Sequence, residues 1–147
     1  MRYLLVDRIL DWEIGKKIRG VKNIAMSEDF LEYHFPKNPV MPGVLLLEAQ
    51  AQLAGWLEAA SSDFRSWCLI QRVQQCHYYG FAYPGDRVEI EVQWKTDPAE
   101  GEKTFAGACS VDGQRKVVSE FDCKIVTLAE IDDVSDRRES FRLLTRG

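Results

Sequence analysis

Residues 34–48 read HFPKNPVMPGVLLLE, and this stretch joins a proline-rich segment to the start of a long apolar run. Its prolines, Pro36, Pro39 and Pro42, follow one another at a spacing of three residues. Each proline directs the residue before it towards extended backbone, so the segment is predicted to be stiff and non-helical. Because Pro42 suits the first turn of a helix, where a missing N–H group costs nothing, we predict a helix over residues 43–60.

The predicted helix is apolar on nearly every face, which is typical of a helix surrounded by protein. Glu48 interrupts this apolar sequence, although an ionised carboxylate is among the groups that a protein core accepts least readily. Gln52 lies four residues further on, at a spacing that brings two helical side chains together. We therefore predict that Glu48 faces a small polar pocket, in which Gln52 hydrogen-bonds to the carboxylate or to a shared water molecule.

Outside the helix, apolar alternation and turn signals predict strands. Two short strands, over residues 4–12 and 18–26, would form a hairpin before one helical turn at Phe30 and Leu31. After the helix, strands are predicted over residues 67–73, 87–97, 103–112 and 115–126. A further extended piece is predicted over 74–83, with turns at 84–86 and 112–113. The order is a hairpin, one long helix and four antiparallel strands. A sheet curled around the helix buries such a helix most simply, so the predicted fold class is α+β.

Composition and charge indicate one ordinary globular domain. The chain has 147 residues, 46% of them hydrophobic, and a formal net charge of −4, so general binding of nucleic acid is not expected. Glu48 and two glutamines within the longest apolar run argue against a membrane span, and Asp7 falls too early for a signal-peptide core. We therefore predict a cytoplasmic protein. Its four cysteines lack metal-ligand spacing, which indicates reduced, mostly structural thiols and no metal site.

Residues 128–147 differ from the rest of the chain because they are highly charged. They could form a surface helix over residues 135–144 or a segment that docks onto a partner. The interpretation that we favour is a solvated tail, which leaves residues 1–127 as the folded domain.

The start of the predicted helix carries several groups that suit acid–base chemistry. Its first N–H groups, at Gly43 and Val44, have no partner within the helix and lie at the positive end of its dipole, which suits an oxyanion or a polarised carbonyl. His34 is a candidate base near neutral pH, and Glu48 is a candidate acid. Such a set fits removal of a proton next to a carbonyl with loss of a β-substituent. Spacing alone does not show that these residues meet.

The longer stretch HFPKNPVMPGVLLLEAQAQ resembles, without gaps, the β-hydroxyacyl-[acyl-carrier-protein] dehydratases of bacterial fatty-acid synthesis, in the branch with glutamate as the acid. The sequences LLVDRILDWEIGKKIRGVKNI, PGDRVEIEVQW and VDGQRKVVSE are similar to other parts of that family, so the resemblance covers most of residues 3–126. It implies a hotdog fold, in which an antiparallel sheet wraps one long central helix. It also implies a homodimer or a trimer of dimers, with active sites between subunits.

The implied substrate is a (3R)-3-hydroxyacyl thioester on the phosphopantetheine arm of acyl carrier protein, dehydrated to a trans-2-enoyl thioester with no other cofactor. The resemblance makes His34 and Glu48 the catalytic pair, with the histidine from one subunit and the glutamate from the other. It also implies a cis peptide bond between His34 and Phe35. Other residues are expected to bind or orient the substrate and the catalytic groups. The Val40 carbonyl would orient the histidine, and Gln52 would place a water molecule. The remaining residues expected to bind substrate are Gly43 and Val44 at the helix N-terminus and the aromatic Phe35, Phe81 and Tyr83.

Some positions depart from the family pattern. Tyr33 stands where the family usually has glycine, which would crowd the pocket or redirect the loop. The aromatic residues of segment 79–83 would share one face of a strand and could narrow or shorten the acyl tunnel, and Ser119 and Phe121 replace small residues. These changes concern the acyl length and the carrier partner more than the chemistry. The alternative functions are a hotdog acyl thioesterase and a non-catalytic subunit that binds acyl carrier protein.

Overall fold

The computed structural model describes residues 4–146, in which one antiparallel sheet surrounds a central helix. The elements are β1 (Arg8–Glu13), β2 (Lys17–Asn23), α1 (Gly43–Ser61), β3 (Ser66–Tyr78), β4 (Arg87–Thr96), β5 (Glu102–Val111), β6 (Gln114–Thr127) and α2 (Val134–Leu144), with single 3-10 turns at Asp29–Leu31 and Leu128–Glu130. The strand order is β1-β2-β4-β5-β6-β3, which confirms the predicted α+β arrangement. Residues 1–3 and 147, which the predicted segments include, lie outside this described part. Within it, no helix combines the length and apolar character needed to cross a membrane.

β3 is one continuous strand, whereas the sequence predicted two extended segments. Its pairing with β6 shifts register between Ile70 and Arg72 and again between Val73 and Gln75. Such irregularities interrupt the side-chain alternation without ending the strand, which is why the pattern looked broken. Because β3 ends at Tyr78, the prediction that the aromatic side chains after it share one strand face is wrong.

The hairpin strands β1 and β2 are confirmed as an antiparallel pair, but both are shorter than predicted. β2 ends at Asn23, and the next residue still follows the register of the β2–β4 pair, because the Ile24 N–H donates to the Asp86 carbonyl at 3.0 Å. The predicted turn between β5 and β6 is also confirmed. Asp112 and Gly113 have φ angles of 50° and 79°, which is the left-handed backbone that a two-residue hairpin turn needs.

A buried carboxylate holds the irregular part of β3 against its neighbours. Asp122 on β6 accepts hydrogen bonds from Thr104 Oγ1 at 2.7 Å, from Gln74 Nε2 at 2.8 Å and from Arg72 Nη2 at 2.7 Å. These bonds, above all the one from Thr104, lower the pKa of Asp122 below its usual value. The ionised carboxylate therefore stabilises the β3–β6–β5 part of the sheet.

The two halves of α1 differ in how they are covered. The helix packs against β2 to β6, and every residue from Leu53 to Ala59 is buried. The first half instead presents a stripe to solvent, on which Val44 is 64% exposed and Glu48 is also exposed. Within one chain, the prediction of a helix surrounded by protein is confirmed only for the second half.

The C-terminal segment adds to the cover over the second half of α1, and it forms the surface helix that was predicted as an alternative to the favoured solvated tail. In helix α2, the Phe141 ring lies 5.1 Å from the ring of Trp12 on β1 and 5.8 Å from that of Trp56 on α1. The Arg137 guanidinium lies 4.5 Å above the ring of Trp67 on β3. Helix α2 therefore spans from β3 across α1 to β1, and aromatic and cation–π contacts hold it there.

Candidate active site

His34 lies in the proline-rich segment, where a hydrogen bond fixes its ring. The Nδ1 atom is 3.0 Å from the Val40 carbonyl oxygen. Because a carbonyl only accepts hydrogen bonds, Nδ1 carries the hydrogen and Nε2 keeps a free lone pair. The ring stacks on Phe35 at a centroid distance of 4.4 Å, and the peptide bond between these two residues is cis, as predicted. This hydrogen bond fixes the ring orientation and makes Nε2 the nitrogen that can accept a proton in the neutral ring.

Helix α1 begins beside this segment without a side-chain cap. Pro42 occupies the N-cap position, and within residues 4–146 no side chain caps the helix. Its first turn contains no acidic residue. The Leu45 N–H donates to the Pro42 carbonyl at 2.9 Å. Uncapped N–H groups at the positive end of a helix dipole suit a substrate oxygen that gains negative charge. The amides of Gly43 and Val44 lie at that end of the helix.

Gly43 is also a packing requirement, which the sequence did not reveal. A Cβ atom at this position would lie 2.6 Å from two ring carbons of Tyr78, at the end of β3. A hydrogen bond with Cys76 raises the pKa of Tyr78 to about 12, so the phenol stays protonated near neutral pH. Tyr78 is thus a site residue that sequence reasoning missed. Its contact with Gly43 joins residues far apart in the chain, and no local pattern signals it.

The segment after β3 lies along the proline-rich segment. The Met41 N–H donates to the Ala82 carbonyl at 2.9 Å, which brings Phe81 and Tyr83 beside the start of α1. The two side chains are 56% and 43% exposed, and their rings are 6.4 Å apart. Phe81 and Tyr83, two of the three aromatic residues expected to bind substrate, are therefore near the proline-rich segment, on an open surface of the single chain.

Glu48 and Gln52 form the predicted contact on α1. Gln52 Nε2 donates to Glu48 Oε1 at 3.2 Å, and Gln52 Oε1 accepts from the Leu5 N–H at 2.9 Å. The predicted small polar pocket around Glu48 is not enclosed by the single chain, in which this carboxylate is exposed. Within residues 4–146 of the single chain, no hydrogen bond or ion pair joins the candidate base His34 to the candidate acid Glu48.

Two open grooves, of about 590 and 550 Å³, lie around residues 97–103, and neither is lined by His34, Gly43 or Glu48. In the part of the chain that the structure describes, no three His, Cys, Asp or Glu side chains come together as metal ligands would. The four cysteines are free thiols, as predicted. The candidate site therefore consists of the proline-rich segment and the exposed first half of α1.

Comparisons with known proteins identify related sequences. Residues 1–121 match the family model described as the FabA-like domain. The chain is 38% identical over 136 residues to the 3-hydroxyacyl-[acyl-carrier-protein] dehydratase FabZ of Janthinobacterium sp. (strain Marseille), which covers 90% of this chain and 85% of the relative. The protein of the same name from Thermoanaerobacter sp. (strain X514) is 43% identical over 91 residues, or 61% of this chain and 64% of the relative.

Solved structures share the fold at much lower identity. A hot-dog-like protein from Thermanaerovibrio acidaminovorans superposes with a TM-score of 0.64 at 18% identity, covering 92% of this chain and 96% of the other. The protein smu.793 from Streptococcus mutans UA159, solved bound to acetyl CoA, gives a TM-score of 0.67 at 14% identity, with coverages of 87% and 94%. These similarities confirm the predicted hotdog fold.

Proposed function

We propose, since the chain belongs to the FabA-like family, that it dehydrates 3-hydroxyacyl thioesters carried on acyl carrier protein. The products would be a trans-2-enoyl thioester and water, as in fatty-acid biosynthesis or the synthesis of a related acyl chain. The observation that supports this most directly is the state of His34. Its Nδ1–H is bound to the Val40 carbonyl, which leaves Nε2 free as a base next to an uncapped helix N-terminus.

The geometry supports one division of roles. His34 Nε2 would remove the proton from C2 of the substrate, while the amides of Gly43 and Val44 hold the thioester oxygen as it gains negative charge. The C3–O bond would break as the C2=C3 double bond forms, and a proton from Glu48 would convert the departing hydroxyl group to water. Gln52, which bonds to the Glu48 carboxylate, would orient it. Transfer of a proton from His34 back to Glu48 would restore the starting state.

A second copy of the chain would complete the site. Glu48 and Val44 lie on the uncovered stripe of α1, and β3 is an edge strand with neighbours on one side only. Leu69, Val73 and Tyr78 on this strand are 45%, 40% and 51% exposed. Long edge strands with exposed apolar side chains are normally covered in folded proteins. We therefore propose a homodimer in which His34 faces Glu48 of the partner subunit, either alone or within a trimer of dimers.

The proposal also includes the expected carrier partner, substrate contacts and cellular location. The carrier partner would be acyl carrier protein, whose phosphopantetheine arm supplies the thioester, and no further cofactor would be needed. Phe35, Phe81 and Tyr83 would contact the acyl chain or the arm. The protein would act in the cytoplasm.

A thioester assay tests the proposal and separates it from the alternatives. The protein is incubated with a 3-hydroxyacyl thioester, and formation of the conjugated enoyl product and release of free thiol are measured separately. Dehydration gives the enoyl signal alone, a thioesterase releases thiol alone, and a subunit that only binds gives neither. Glu48→Gln is the decisive variant, because removal of a general acid lowers the rate by roughly 100- to 10,000-fold. Near-normal turnover in Glu48→Gln would remove the acid assignment.

A further inference from the structure

Gln50 is a buried polar side chain that the proposed chemistry does not use. It is 0% exposed, and it lies two residues after Glu48, on nearly the opposite side of α1. An apolar side chain of the same size at this position would avoid the cost of removing an amide from water. The presence of an amide here therefore requires a physical reason.

Every hydrogen-bonding group of the Gln50 amide has a partner in the β5–β6 pair. Nε2 donates to the Val117 carbonyl at 3.2 Å and to Cys109 Sγ at 3.3 Å, and Oε1 accepts from the Ser119 hydroxyl. Gly107 pairs with Ser119 in the sheet, and a Cβ atom at Gly107 would collide with Gln50 Oε1. Polar groups on β5 and β6 therefore bind this amide, and Gly107 leaves the space that the amide occupies.

A second polar contact joins β5 to α1 one helical turn before Gln50. The Cys109 thiol donates to the Leu46 carbonyl at 3.5 Å. Burial raises the pKa of the Cys109 thiol to about 12, so the thiol keeps its hydrogen. The first half of α1 is thus joined to the sheet by directional contacts at two successive turns.

Directional contacts matter in this half because the chain's own elements leave the opposite side of the helix uncovered, so the sheet alone fixes the helix within one subunit. Apolar packing is non-directional and resists a small rotation of the helix weakly, whereas hydrogen bonds weaken steeply when their angles change. A glutamate carboxylate lies roughly 6–7 Å from the helix axis, so a rotation of about 10° moves it by about 1 Å. A displacement of about 1 Å can lower an enzyme's rate roughly 100-fold.

We propose that Gln50 is a positioning residue: its bonds to Ser119 and Val117 fix the rotation of α1 and thereby place the Glu48 carboxylate for proton transfer. This inference rests on the proposed role of Glu48. It assigns a function to a contact between α1 and β6 that is far from the reacting atoms. The amide acts on the rate and leaves thioester binding by the helix N-terminus unchanged.

The test uses the double variant Gln50→Met/Ser119→Ala, which replaces both polar partners by apolar groups. Removal of both side chains of the Gln50–Ser119 bond is nearly neutral, whereas the Val117 carbonyl loses its bond to the amide, so the free energy of unfolding should fall only slightly and the protein should stay folded. The kcat for dehydration should nevertheless fall by about 10- to 100-fold, with KM unchanged. Ser119→Ala alone, in which the Val117 bond remains, should fold normally and show a smaller fall in kcat.

Two controls separate this role from simple stabilisation and from failure of the proposed function. Leu57→Val removes buried volume from the covered half of α1, and it should lower stability while kcat stays unchanged. Wild-type kcat in the folded double variant, alongside an inactive Glu48→Gln protein, would overturn the positioning role. A kcat that falls only in proportion to the folded fraction would overturn it as well. An active Glu48→Gln protein would instead show that the proposed catalytic assignment is wrong.

Discussion

Two inactive variants should regain activity when they are mixed, because the proposed dimer places the base and the acid of each site on different chains. The variants are His34→Ala and Glu48→Ala. In the single chain His34 is half-buried and Glu48 is exposed, so neither substitution removes much packing and both proteins should fold. Each homodimer would lack the same catalytic residue in both of its sites and would be inactive.

The expected recovery follows from the way chains pair. After equal amounts are dissociated and reassembled at random, about half of the dimers contain one chain of each kind. A mixed dimer has one site that lacks both residues and one site with both present. Activity per chain should therefore reach about a quarter of the wild-type value, if the two sites act independently.

The assay follows enoyl formation from a 3-hydroxyacyl thioester before and after subunit exchange. Different affinity tags on the two variants allow the mixed dimers to be isolated and counted, and a mixture kept without dissociation serves as the control. Isolated mixed dimers should have about half of the wild-type activity, since one of their two sites is intact. Inactive mixed dimers would mean that each chain holds its own pair, and the shared site would be refuted.

Three further predictions concern other parts of the structure. Gly43→Ala should lower kcat/KM by about tenfold or more. The new Cβ atom would lie 2.6 Å from the Tyr78 ring, so either the ring or the start of α1 must move. A second substitution, Tyr78→Ala, should relieve this clash and restore part of the activity. Phe81→Ala or Tyr83→Ala should shift the preference towards longer acyl chains by about tenfold in relative kcat/KM, and an unchanged chain-length profile in both would show that the rings do not limit the site. Asp122→Asn should lower the free energy of unfolding at pH 7 by about 1–3 kcal/mol. Because the pKa of Asp122 is lowered in the folded state, this contribution is present above the ordinary aspartate pKa and is lost as the pH falls below about 4. Urea unfolding should therefore show a difference between wild type and Asp122→Asn that shrinks as the pH is lowered from 7 towards 2, and a difference that stays constant over this range would contradict the assignment.

The local parts of the fold could be predicted from the sequence because local rules determine them. The helix over 43–60 agrees with Gly43–Ser61 to within one residue, since proline and apolar patterning define its start and length. The hairpin at Asp112–Gly113 follows from the left-handed preference of that dipeptide. In the candidate site, the resemblance supplied the cis bond after His34, which the structure contains.

The parts that could not be predicted depend on contacts between distant residues. Tyr78 packs on Gly43, and the Ser119 hydroxyl on β6 donates a hydrogen bond to Gln50 on α1. Neither contact produces a periodic pattern in the sequence. The exposure of Glu48 was missed for a related reason. Its neighbours in the sequence are apolar, and the pattern does not reveal that one chain alone leaves this side of the helix uncovered.

The unequal cover of α1 has a consequence for mutational tolerance. Substitutions around Trp56 and Phe141 disturb contacts that one chain completes by itself, so they should reduce the amount of folded protein while each surviving molecule keeps its turnover. Substitutions on the stripe with Val44 and Glu48 remove little intrachain packing, so they should leave the protein abundant but inactive. A saturation scan that records abundance and turnover separately would divide the same helix into two parts, with the change between them near Leu53.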